Sequence, residues 1–241
     1  MHKAIISWSG GKDSALALFF CQQAGPYEIV GLLTTVNGSL GRVSMHGVRT
    51  ELIEAQAEAV GIPLHTVNLP DDVSMESYTQ TVRQALTEFK KQGVTHVIYG
   101  DIFLEDLRQY RKAQLAEVGL QGVFPLWGQD TVSLLQTFQE SGFKAVLVCL
   151  NASLLPESWA GRELDATLRD ELPPTVDACG ENGEYHSFVY DGPVFKNPVP
   201  FQKGEIVRRS YAASAKTGQW NTEFIFQDLL SFDHQQQRIQ P

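Results

Sequence analysis

The feature that most constrains the fold of this chain is a loop near its N-terminus, which we call the glycine loop, with the sequence Ser9-Gly10-Gly11-Lys12-Asp13-Ser14. It stands between a predicted strand, residues 3–7, and a predicted helix, residues 14–23. Two adjacent glycines allow a tight bend in which backbone N–H groups face an anion, and the start of the helix adds its free amides and positive dipole end. The lysine supplies a positive charge, and the two serine hydroxyls can donate hydrogen bonds. The glycine loop therefore predicts a phosphate-binding site at the end of a strand.

The glycine loop differs from the two commonest nucleotide-binding loops. The sequence contains neither GxxxxGK[ST] nor GxGxxG, which argues against a Walker A loop and against a dinucleotide-binding domain. A glycine turn with serine and aspartate caps and no ligand is the alternative. The hydroxyls on both sides of the glycines and the Lys-Asp pair favour anion binding over that alternative.

Short apolar runs alternate with helical patterns through residues 1–150, which is typical of parallel α/β units. Because crossovers between parallel strands are right-handed, we expect an α/β fold with helices on both faces of a doubly wound parallel sheet. Asp130 is the expected N-cap of the fifth helix, and Gly25-Pro26 and Gly61-Ile62-Pro63 are expected to end the first two. The predicted strands are residues 3–7, 28–36, 63–69, 96–99 and 144–150, and the predicted helices are residues 14–23, 48–60, 75–92, 105–118 and 131–141.

The pattern changes after Pro156, where we expect a smaller C-terminal α+β region. A helix is predicted over residues 157–172, ending at a pair of prolines. Two strands flank Tyr190-Asp191-Gly192, a sequence typical of a hairpin turn, and two more strands follow. These strands are residues 185–189, 193–195, 205–211 and 220–226. We divide the chain into a domain at 1–150, a smaller region at 151–232 and a polar, flexible tail at 233–241.

Charge and cysteine content exclude several classes of protein. The chain has 241 residues, with 19 Lys and Arg against 28 Asp and Glu, giving a net charge of −9. Bulk nucleic-acid binding depends on Lys and Arg that neutralise phosphates, so it is not expected. The three cysteines form no CxxC pair and the six histidines show no metal-ligand spacing, which favours a reducing compartment without structural zinc. With no signal-peptide or membrane-span pattern, we expect a cytoplasmic protein that contacts no membrane, and a homodimer remains open.

The glycine loop resembles the SGGxDS motif of the ATP pyrophosphatase (PP-loop) superfamily. Members of this superfamily have a doubly wound, HUP-like parallel α/β fold. They split ATP between its α- and β-phosphates and adenylate a carboxylate, carbonyl or base. The resemblance implies that the loop holds the pyrophosphate portion of ATP and that its Lys-Asp pair takes part in catalysis. The residues implied to bind ATP are Ser9, Gly10, Gly11, Lys12, Asp13 and Ser14.

Further segments narrow the resemblance to one family. The segment GENGEYHS, residues 180–187, is similar to the GENGE[FY]H[ST] signature of the diphthine–ammonia ligase family, and the resemblance covers about residues 1–211. It implies an ATP-dependent, AMP-forming ligase that adenylates a carboxylate and converts it to an amide with ammonia, using ATP and Mg²⁺. The implied acceptor is diphthine on a translation elongation factor, and free ammonium is the implied nitrogen donor. Three other segments support this resemblance: Met45-His46-Gly47-Val48-Arg49, Tyr99-Gly100-Asp101-Ile102 and Pro125-Leu126-Trp127-Gly128.

Polar residues in two of these segments are candidates for catalysis and binding. Asp101 follows a predicted strand at the edge where open α/β sheets place their ligands, so it is expected to hold Mg²⁺ together with Asp13 or to orient the nucleophile. A carboxylate that caps the next helix is the alternative. His46 and Arg49 are expected to bind phosphate or the substrate carboxylate, the arginine through two parallel hydrogen bonds. A surface pair at the start of a helix is the alternative for these two.

The GENGEYHS segment is expected to form the substrate side of the site. Glu184 and His186 alternate, so on a strand their side chains would share a face, where a carboxylate and an imidazole can bind ammonium and take its proton. Whether Glu181 or Glu184 acts as the base is open, and a polar hairpin without chemistry is the alternative. The remaining residues expected to bind substrate are Gly180, Asn182 and Gly183.

Two other functions compete with the ligase. A tRNA-modifying or sulfur-transfer enzyme of the same superfamily would need nucleic-acid contacts and usually a pair of catalytic cysteines, and the acidic sequence shows neither. A regulatory module that only binds ATP or AMP would not need the second polar segment. If diphthine is absent from the source organism, the acceptor would be a small metabolite instead.

Overall fold

The computed structural model describes residues 1–38, 40–43, 46–69, 74–211 and 222–232. Its first sheet is built around β1 (His2–Ser7), which pairs in parallel with β2 (Tyr27–Asn37) on one side and β5 (His96–Ile98) on the other. The outer parallel pairings are β2 with β4 (Leu64–Leu69) and β5 with β6 (Gln121–Val123). The parallel strands therefore run in the order β4-β2-β1-β5-β6. A short strand, β3 (Arg42–Val43), adds antiparallel to the end of β2.

Successive residues of β1 face opposite sides of the sheet, because side chains alternate along a strand. Ala4 and Ile6 belong to the core that contains residues of α1 (Lys12–Ala24) and α2 (Thr50–Val60). Ile5 belongs to a second core with α3 (Met75–Lys91) and α4 (Glu105–Val118). Helices thus cover both faces, and the predicted doubly wound α/β fold is confirmed.

The sheet reverses its direction of growth between β1 and β5. From β1 the chain moves through β2 to β4, and it then crosses back to β5 on the other side of β1. In open α/β sheets this switch point leaves a crevice at the carboxyl ends of the two strands, where ligands bind. The glycine loop follows β1 and Asp101 lies just after β5, so the fold brings both to this crevice.

A second sheet of four antiparallel strands has the order β8-β7-β10-β9. It contains β7 (Lys144–Asn151), β8 (Tyr185–Asp191), β9 (Phe201–Tyr211) and β10 (Thr222–Ser231). Residues of β7, β8 and α5 (Thr131–Glu140) share the core of α1 and α2. The second sheet is therefore packed on one face of the first.

The assignment of residues 144–150 to the parallel sheet was wrong, although the strand itself is present. This strand is β7, and it pairs antiparallel with β8 and β10. Its residues are buried on both faces, so its apolar run looks like a central parallel strand. The fifth parallel strand is instead β6, which has only three residues and gives no apolar run to detect.

The predicted helix over residues 157–172 was also wrong in extent. A 3₁₀ turn (Glu157–Trp159) and a short helix α6 (Ala166–Glu171) take its place, and Gly161, with φ of +75°, separates them. Residues 193–195 form no strand, because after β8 the chain turns and the amide of Phe195 donates to the carbonyl of Gly192.

Several predicted helix ends are confirmed. The side chain of Asp130 caps α5 by accepting the amide of Ser133 at 2.8 Å, and Gly61 ends α2 with φ of +77°. The start of the strand predicted at Trp220 and the tail at 233–241 lie outside the described residues. The division of the chain at residue 150 stays a prediction. Within the described ranges, no helix is long and apolar enough to cross a membrane.

Candidate active site

The glycine loop forms a tight bend between β1 and α1, and both glycines are required by close packing. Gly10 has φ of +79°, and a Cβ there would lie 2.5 Å from Ile53 Cδ1 on α2. A Cβ on Gly11 would lie 2.8 Å from His46 Cε1. Gly11 is the N-cap of α1 and has no side chain with which to cap it, and its own amide donates to Ser9 Oγ at 3.3 Å.

A buried glutamine that sequence reasoning missed, Gln56, holds the glycine loop in place. Its Nε2 donates to the carbonyl of Gly10 at 3.0 Å and to that of Val189 on β8 at 2.5 Å. Its Oε1 accepts the indole N–H of Trp8 at 2.9 Å. Gln56 thus joins α2, the end of β1 and the second sheet. The only signal in the sequence is a polar residue among the apolar positions of α2, which does not reveal these partners.

Lys12 is almost fully buried and points at the second sheet region. Its Nζ lies 2.8 Å from Asp13 Oδ1, donates to the carbonyl of Cys179, and lies 5.3 Å from the centre of the Tyr185 ring. Burial works against the charged form, but the attraction of the Asp13 carboxylate helps to outweigh it, and the pKa of Lys12 is raised above its ordinary value. The side chain therefore stays a cation. Its backbone amide also donates to Ser187 Oγ at 3.1 Å.

Asp101 is brought against the start of α1 by the glycine that precedes it. A Cβ on Gly100 would lie 2.7 Å from the backbone of Asp13, so only glycine permits this approach. Burial raises the pKa of Asp101, the cation of Arg111 lowers it by less, and the nearby Asp13 raises it further. Asp101 Oδ2 lies 2.9 Å from Arg111 Nε, yet the angles are poor and neither atom makes a hydrogen bond among the described residues.

The segment of residues 177–184, which we call the acidic loop, contributes Glu181 to the same crevice. Glu181 Oε1 accepts the backbone amide of Ile102 at 2.8 Å, directly after Asp101. Burial raises the pKa of Glu181 to about 7, with Asp13 and Asp101 adding to the effect. The carboxyl group is therefore poised to exchange a proton near neutral pH.

Glu184 has a different environment from the one predicted. It is buried, and its carboxylate accepts hydrogen bonds from the amide of Asp177 at 3.0 Å and from the amide and side chain of Asn182 at 2.9 and 3.1 Å. The hydrogen bonds of the Glu184 carboxylate thus lie within the acidic loop, whereas His186 lies against His46. The expected pairing of Glu184 with His186 is not among the described contacts.

Asp177, another residue that sequence reasoning did not single out, also stabilises the acidic loop. It accepts the amides of Cys179 and Glu181 at 2.9 and 3.1 Å and the hydroxyl of Thr131 at 2.7 Å. Gly180 and Gly183 complete the turn with φ of +69° and +86°.

The two predicted histidines meet above the glycine loop. The rings of His46 and His186 are 4.4 Å apart between centres, with an angle of 30°. Burial lowers the pKa of His46 to about 4 and that of His186 well below its ordinary value, and the charge of Lys12 lowers both further. Both imidazoles are therefore neutral near pH 7. Among the described residues, His46 Nδ1 is buried without a hydrogen-bond partner.

Arg49 does not join this group in the described contacts. Its Nη2 and Nε lie 2.7 and 3.1 Å from the two oxygens of Asp228 on β10, and Arg42 pairs with the same carboxylate at 2.8 Å. Both arginines thus fasten β3 and the start of α2 to the second sheet. The environment of Arg49 is therefore close to the alternative interpretation, in which it is a residue at the start of a helix that binds no ligand.

The remaining candidates for chemistry in the described part of the chain are the cysteine thiols and possible metal ligands. All three cysteines are free and buried, and burial raises the thiol pKa of Cys179 to about 12. Among residues 1–38, 40–43, 46–69, 74–211 and 222–232, no group of three or more His, Cys, Asp or Glu side chains is arranged to hold a metal.

Two sequence models of one family match this chain. The sequence model of the diphthamide synthase N-terminal domain matches residues 2–122, and that of the diphthamide synthase C-terminal domain matches residues 130–215. Relatives named diphthine–ammonia ligase include those of Danio rerio (29% identical, covering 87% of this chain and 90% of that one), Bos taurus (28%, 86% and 85%) and Homo sapiens (27%, 86% and 85%).

Among solved structures, the U34-tRNA thiolase NcsA from Methanococcus maripaludis with its [4Fe-4S] cluster has a TM-score of 0.37 and 15% identity, covering 58% of this chain and 56% of that one. That likeness is too weak to support a conclusion. The two family models, in contrast, together match most of the sequence and include both the glycine loop and the acidic loop. The chain belongs to the diphthamide synthase family.

Proposed function

We propose that this protein is an ATP-dependent, AMP-forming ligase that adenylates the carboxylate of diphthine and converts it to an amide with ammonia. The observation that carries the proposal is the meeting of the glycine loop, Asp101 and Glu181 at the β1–β5 crevice. The names of the relatives, diphthine–ammonia ligase, supply the acceptor and the nitrogen donor. The family membership supports ATP as the activating substrate.

The first step needs a site for the phosphates of ATP. The carboxylate oxygen of the acceptor attacks the α-phosphorus, the bond to the β-phosphate breaks, and pyrophosphate leaves. The start of α1 and the buried cation of Lys12 are suited to hold the departing pyrophosphate, because both present fixed positive charge that needs no reorganisation. The neutral ring of His46 lies beside Gly11, with His186 against it, and its Nδ1, unpaired among the described residues, is suited to hydrogen-bond to a phosphate oxygen.

The residues present fit Mg²⁺ bound together with ATP. Proteins hold this ion through one or two carboxylates and the substrate phosphates, so a closed cage of protein ligands is not needed. Asp101 Oδ2 is buried and makes no hydrogen bond among the described residues, although Arg111 Nε lies 2.9 Å from it, and Asp13, whose oxygens contact Lys12, is close by. Asp13 and Asp101 would hold the ion, which when bound neutralises charge on the phosphates.

The second step is attack by ammonia on the acyl-adenylate, with AMP as the leaving group. The nitrogen arrives as ammonium and must lose protons to become a neutral nucleophile and then an amide. Glu181, with a pKa of about 7 and a place beside Asp101, is suited to accept a proton, and Asp13 and Asp101 favour a cation nearby. Glu184 stabilises the loop that carries Glu181. Of the two alternatives for the base, this geometry favours Glu181.

The competing functions receive less support. Sulfur transfer needs a thiolate, and burial raises the pKa of Cys149 and Cys179 to about 12 and that of Cys21 to about 11. A module that only stores nucleotide gains nothing from a carboxyl group poised near neutral pH. We also propose that Mg²⁺ takes part, that the acceptor is protein-borne rather than a small molecule and that the protein is cytoplasmic, whereas the oligomeric state stays open.

Turnover of labelled ATP tests the function. The purified chain is incubated with ATP labelled in the α-phosphate, Mg²⁺, ammonium and a diphthine-bearing elongation factor. We expect AMP to form only when the acceptor is present, and the acceptor to gain an amide. Without ammonium, acceptor-dependent exchange of pyrophosphate into ATP should persist. AMP formation without an acceptor, or none with it, would contradict the proposal.

A further inference from the structure

A ladder of aromatic rings and arginines lies beside the crevice and is not used by the steps above. Tyr99, at the end of β5, stacks on Phe124, which follows β6, with centres 5.5 Å apart, and Phe124 meets Trp127 edge-on at 6.3 Å. Two arginines one turn apart on α4 lie over this ladder. The guanidinium of Arg111 is 4.2 Å from the centre of Tyr99, and that of Arg108 is 4.2 Å from the centre of Trp127.

The backbone connects this ladder to the proposed reaction site. The amide of Gly128, next to Trp127, donates to the carbonyl of Ile102 at 2.8 Å. The amide of the same Ile102 donates to Glu181 at 2.8 Å. The next residue, Phe103, is 40% exposed although it is aromatic. The ladder thus adjoins the rim of the crevice, where Phe103 is partly exposed.

The cations of this rim differ in how firmly they are already paired. Lys12 contacts both oxygens of Asp13 at 2.8 and 2.9 Å, and Arg111 lies 2.9 Å from Asp101. Arg108 meets Glu105 at 3.5 Å, and that glutamate is 52% exposed, so the pair is weak. Within the described ranges, the buried Nε of Arg108 has no hydrogen-bond partner. Stacking on Trp127 fixes the plane of the guanidinium while leaving its donors available.

A carboxylate acceptor needs such a cation. The crevice brings the carboxyl groups of Asp13, Asp101 and Glu181 together, and such a cluster repels an approaching carboxylate. Two parallel N–H donors of an arginine match the two oxygens of a carboxylate and offset this repulsion. After amide formation the negative charge is gone, so the same arginine binds the product less well.

We propose that Arg108, held on Trp127 at the rim of the crevice, binds the acceptor carboxylate and selects the charged substrate over its neutral amide. This inference rests on the proposed ligase function and adds a substrate-binding residue to it. Arg111, one turn further along α4, lies 2.9 Å from Asp101, so the same helix holds Arg108 at this edge of the crevice, from which a bound carboxylate can reach ATP. Trp127 acts as a positioning residue, because it orients Arg108.

The test compares two arginines that both stack on tryptophan. Arg108→Met keeps much of the aliphatic contact and removes the donors. Arg162→Met is the matched control, because Arg162 lies 5.1 Å from the Trp159 ring centre and pairs with Glu171 at 2.7 Å, away from this rim. KM for the diphthine acceptor and for ATP is measured from AMP formation with the full chain. The inhibition constant of the amide product is measured in the same assay.

We expect Arg108→Met to raise KM for the acceptor about 10- to 100-fold, as loss of a charge-assisted contact does, and to leave KM for ATP and the inhibition constant of the amide unchanged. Arg108→Lys should recover part of the loss, and Arg162→Met should change none of these constants. Equal weakening of carboxylate and amide binding would show general damage to the rim and overturn the inference. An unchanged KM for the acceptor would also overturn it while leaving the ligase intact. Absence of acceptor-dependent AMP from the unmodified protein would overturn the proposed function, and this inference with it.

Discussion

The glycine loop and the acidic loop meet at one crevice, but they are held there by different means. The glycine loop is shaped by its own chain, since Gly10 bends the backbone and α1 begins at once, and Gln56 only fixes its position. The acidic loop is held by its own carboxylates, because Asp177 and Glu184 accept several backbone amides. Acidic residues in the acidic loop therefore serve two purposes. Those that accept several hydrogen bonds stabilise the loop, and Glu181, whose carboxyl group accepts a single one among the described residues, faces the crevice.

The largest effect is expected when the charge of the glycine loop is removed. Lys12→Ala should lower acceptor-dependent AMP formation about 10³-fold, because a fixed cation at the departing pyrophosphate is lost. Lys12→Met keeps more of the buried volume and should show the same loss, which separates loss of charge from loss of packing. Lys91→Ala, whose amine pairs with Glu88 at the surface, is the control. Normal turnover of both Lys12 variants would remove the glycine loop from the mechanism.

The second prediction separates the two glutamates of the acidic loop. Glu181→Gln should lower amide formation about 10²-fold while pyrophosphate exchange into ATP persists, because only the later proton transfer is impaired. Glu184→Gln should instead lower the melting temperature, because the carboxylate that accepts amides of the loop is lost. Exchange rates, amide yield and thermal unfolding are measured for both.

Replacing ammonia with another nucleophile provides a control for the Glu181 and Glu184 variants. Hydroxylamine is neutral at a lower pH than ammonia, so it should restore much of the activity of Glu181→Gln and have no such effect on Glu184→Gln. In the unmodified chain, amide formation at fixed concentration of neutral ammonia should rise with pH through about 7, as Glu181 loses its proton. A Glu181→Gln variant that keeps this rise would assign it to another group.

A smaller effect on activity is expected at Gly100, which follows β5 and packs against Asp13 of the glycine loop. Gly100→Ala places a Cβ 2.7 Å from the backbone of Asp13, so Asp101 and Asp13 must move apart. We expect activity to fall about 10- to 100-fold through misplacement of these groups, with a lower melting temperature. Gly38→Ala is the control, because the nearest atom to its Cβ lies at 3.6 Å. Equal activity and equal melting temperatures of Gly100→Ala and Gly38→Ala would show that activity does not depend on the close approach of Gly100 to Asp13.

The smallest effect is expected in the stability of the fold at acid pH, which depends on the buried histidine His46. The pKa of His46 is lowered from 6.5 to about 4 by burial, so the unfolded chain binds a proton more readily than the folded one between these values. Stability therefore falls as pH decreases from about 6.5 to 4, and it is not affected by this group above 6.5. His46→Gln should reduce the slope of unfolding free energy against pH in that window. His65→Gln, on β4 beside Phe89, is the control, and an unchanged slope in His46→Gln would contradict the buried, neutral state.

Local chemistry explains which parts of the structure the sequence predicted. The glycine loop, the cap at Asp130 and the turn at Gly61 depend on residues within a few positions of each other, and all three are present. The strand β7 was predicted but assigned to the wrong sheet, because an apolar run does not indicate which strands it pairs with. β6 was missed because three residues give no periodicity.

By itself the sequence determined the glycine loop, the doubly wound α/β class and the family, because each depends on residue types at short, fixed spacing. Only the tertiary structure decided which polar residues share the site. It joined Glu181 to Asp101 through Ile102, placed Glu184 inside its own loop, paired Arg49 with Asp228 and set Arg108 on Trp127. These partners are between two and 179 positions apart along the chain. Such contacts depend on how the two sheets and their helices pack, and hydrogen bonds and burial at those contacts, rather than residue type, set the chemistry of each carboxylate.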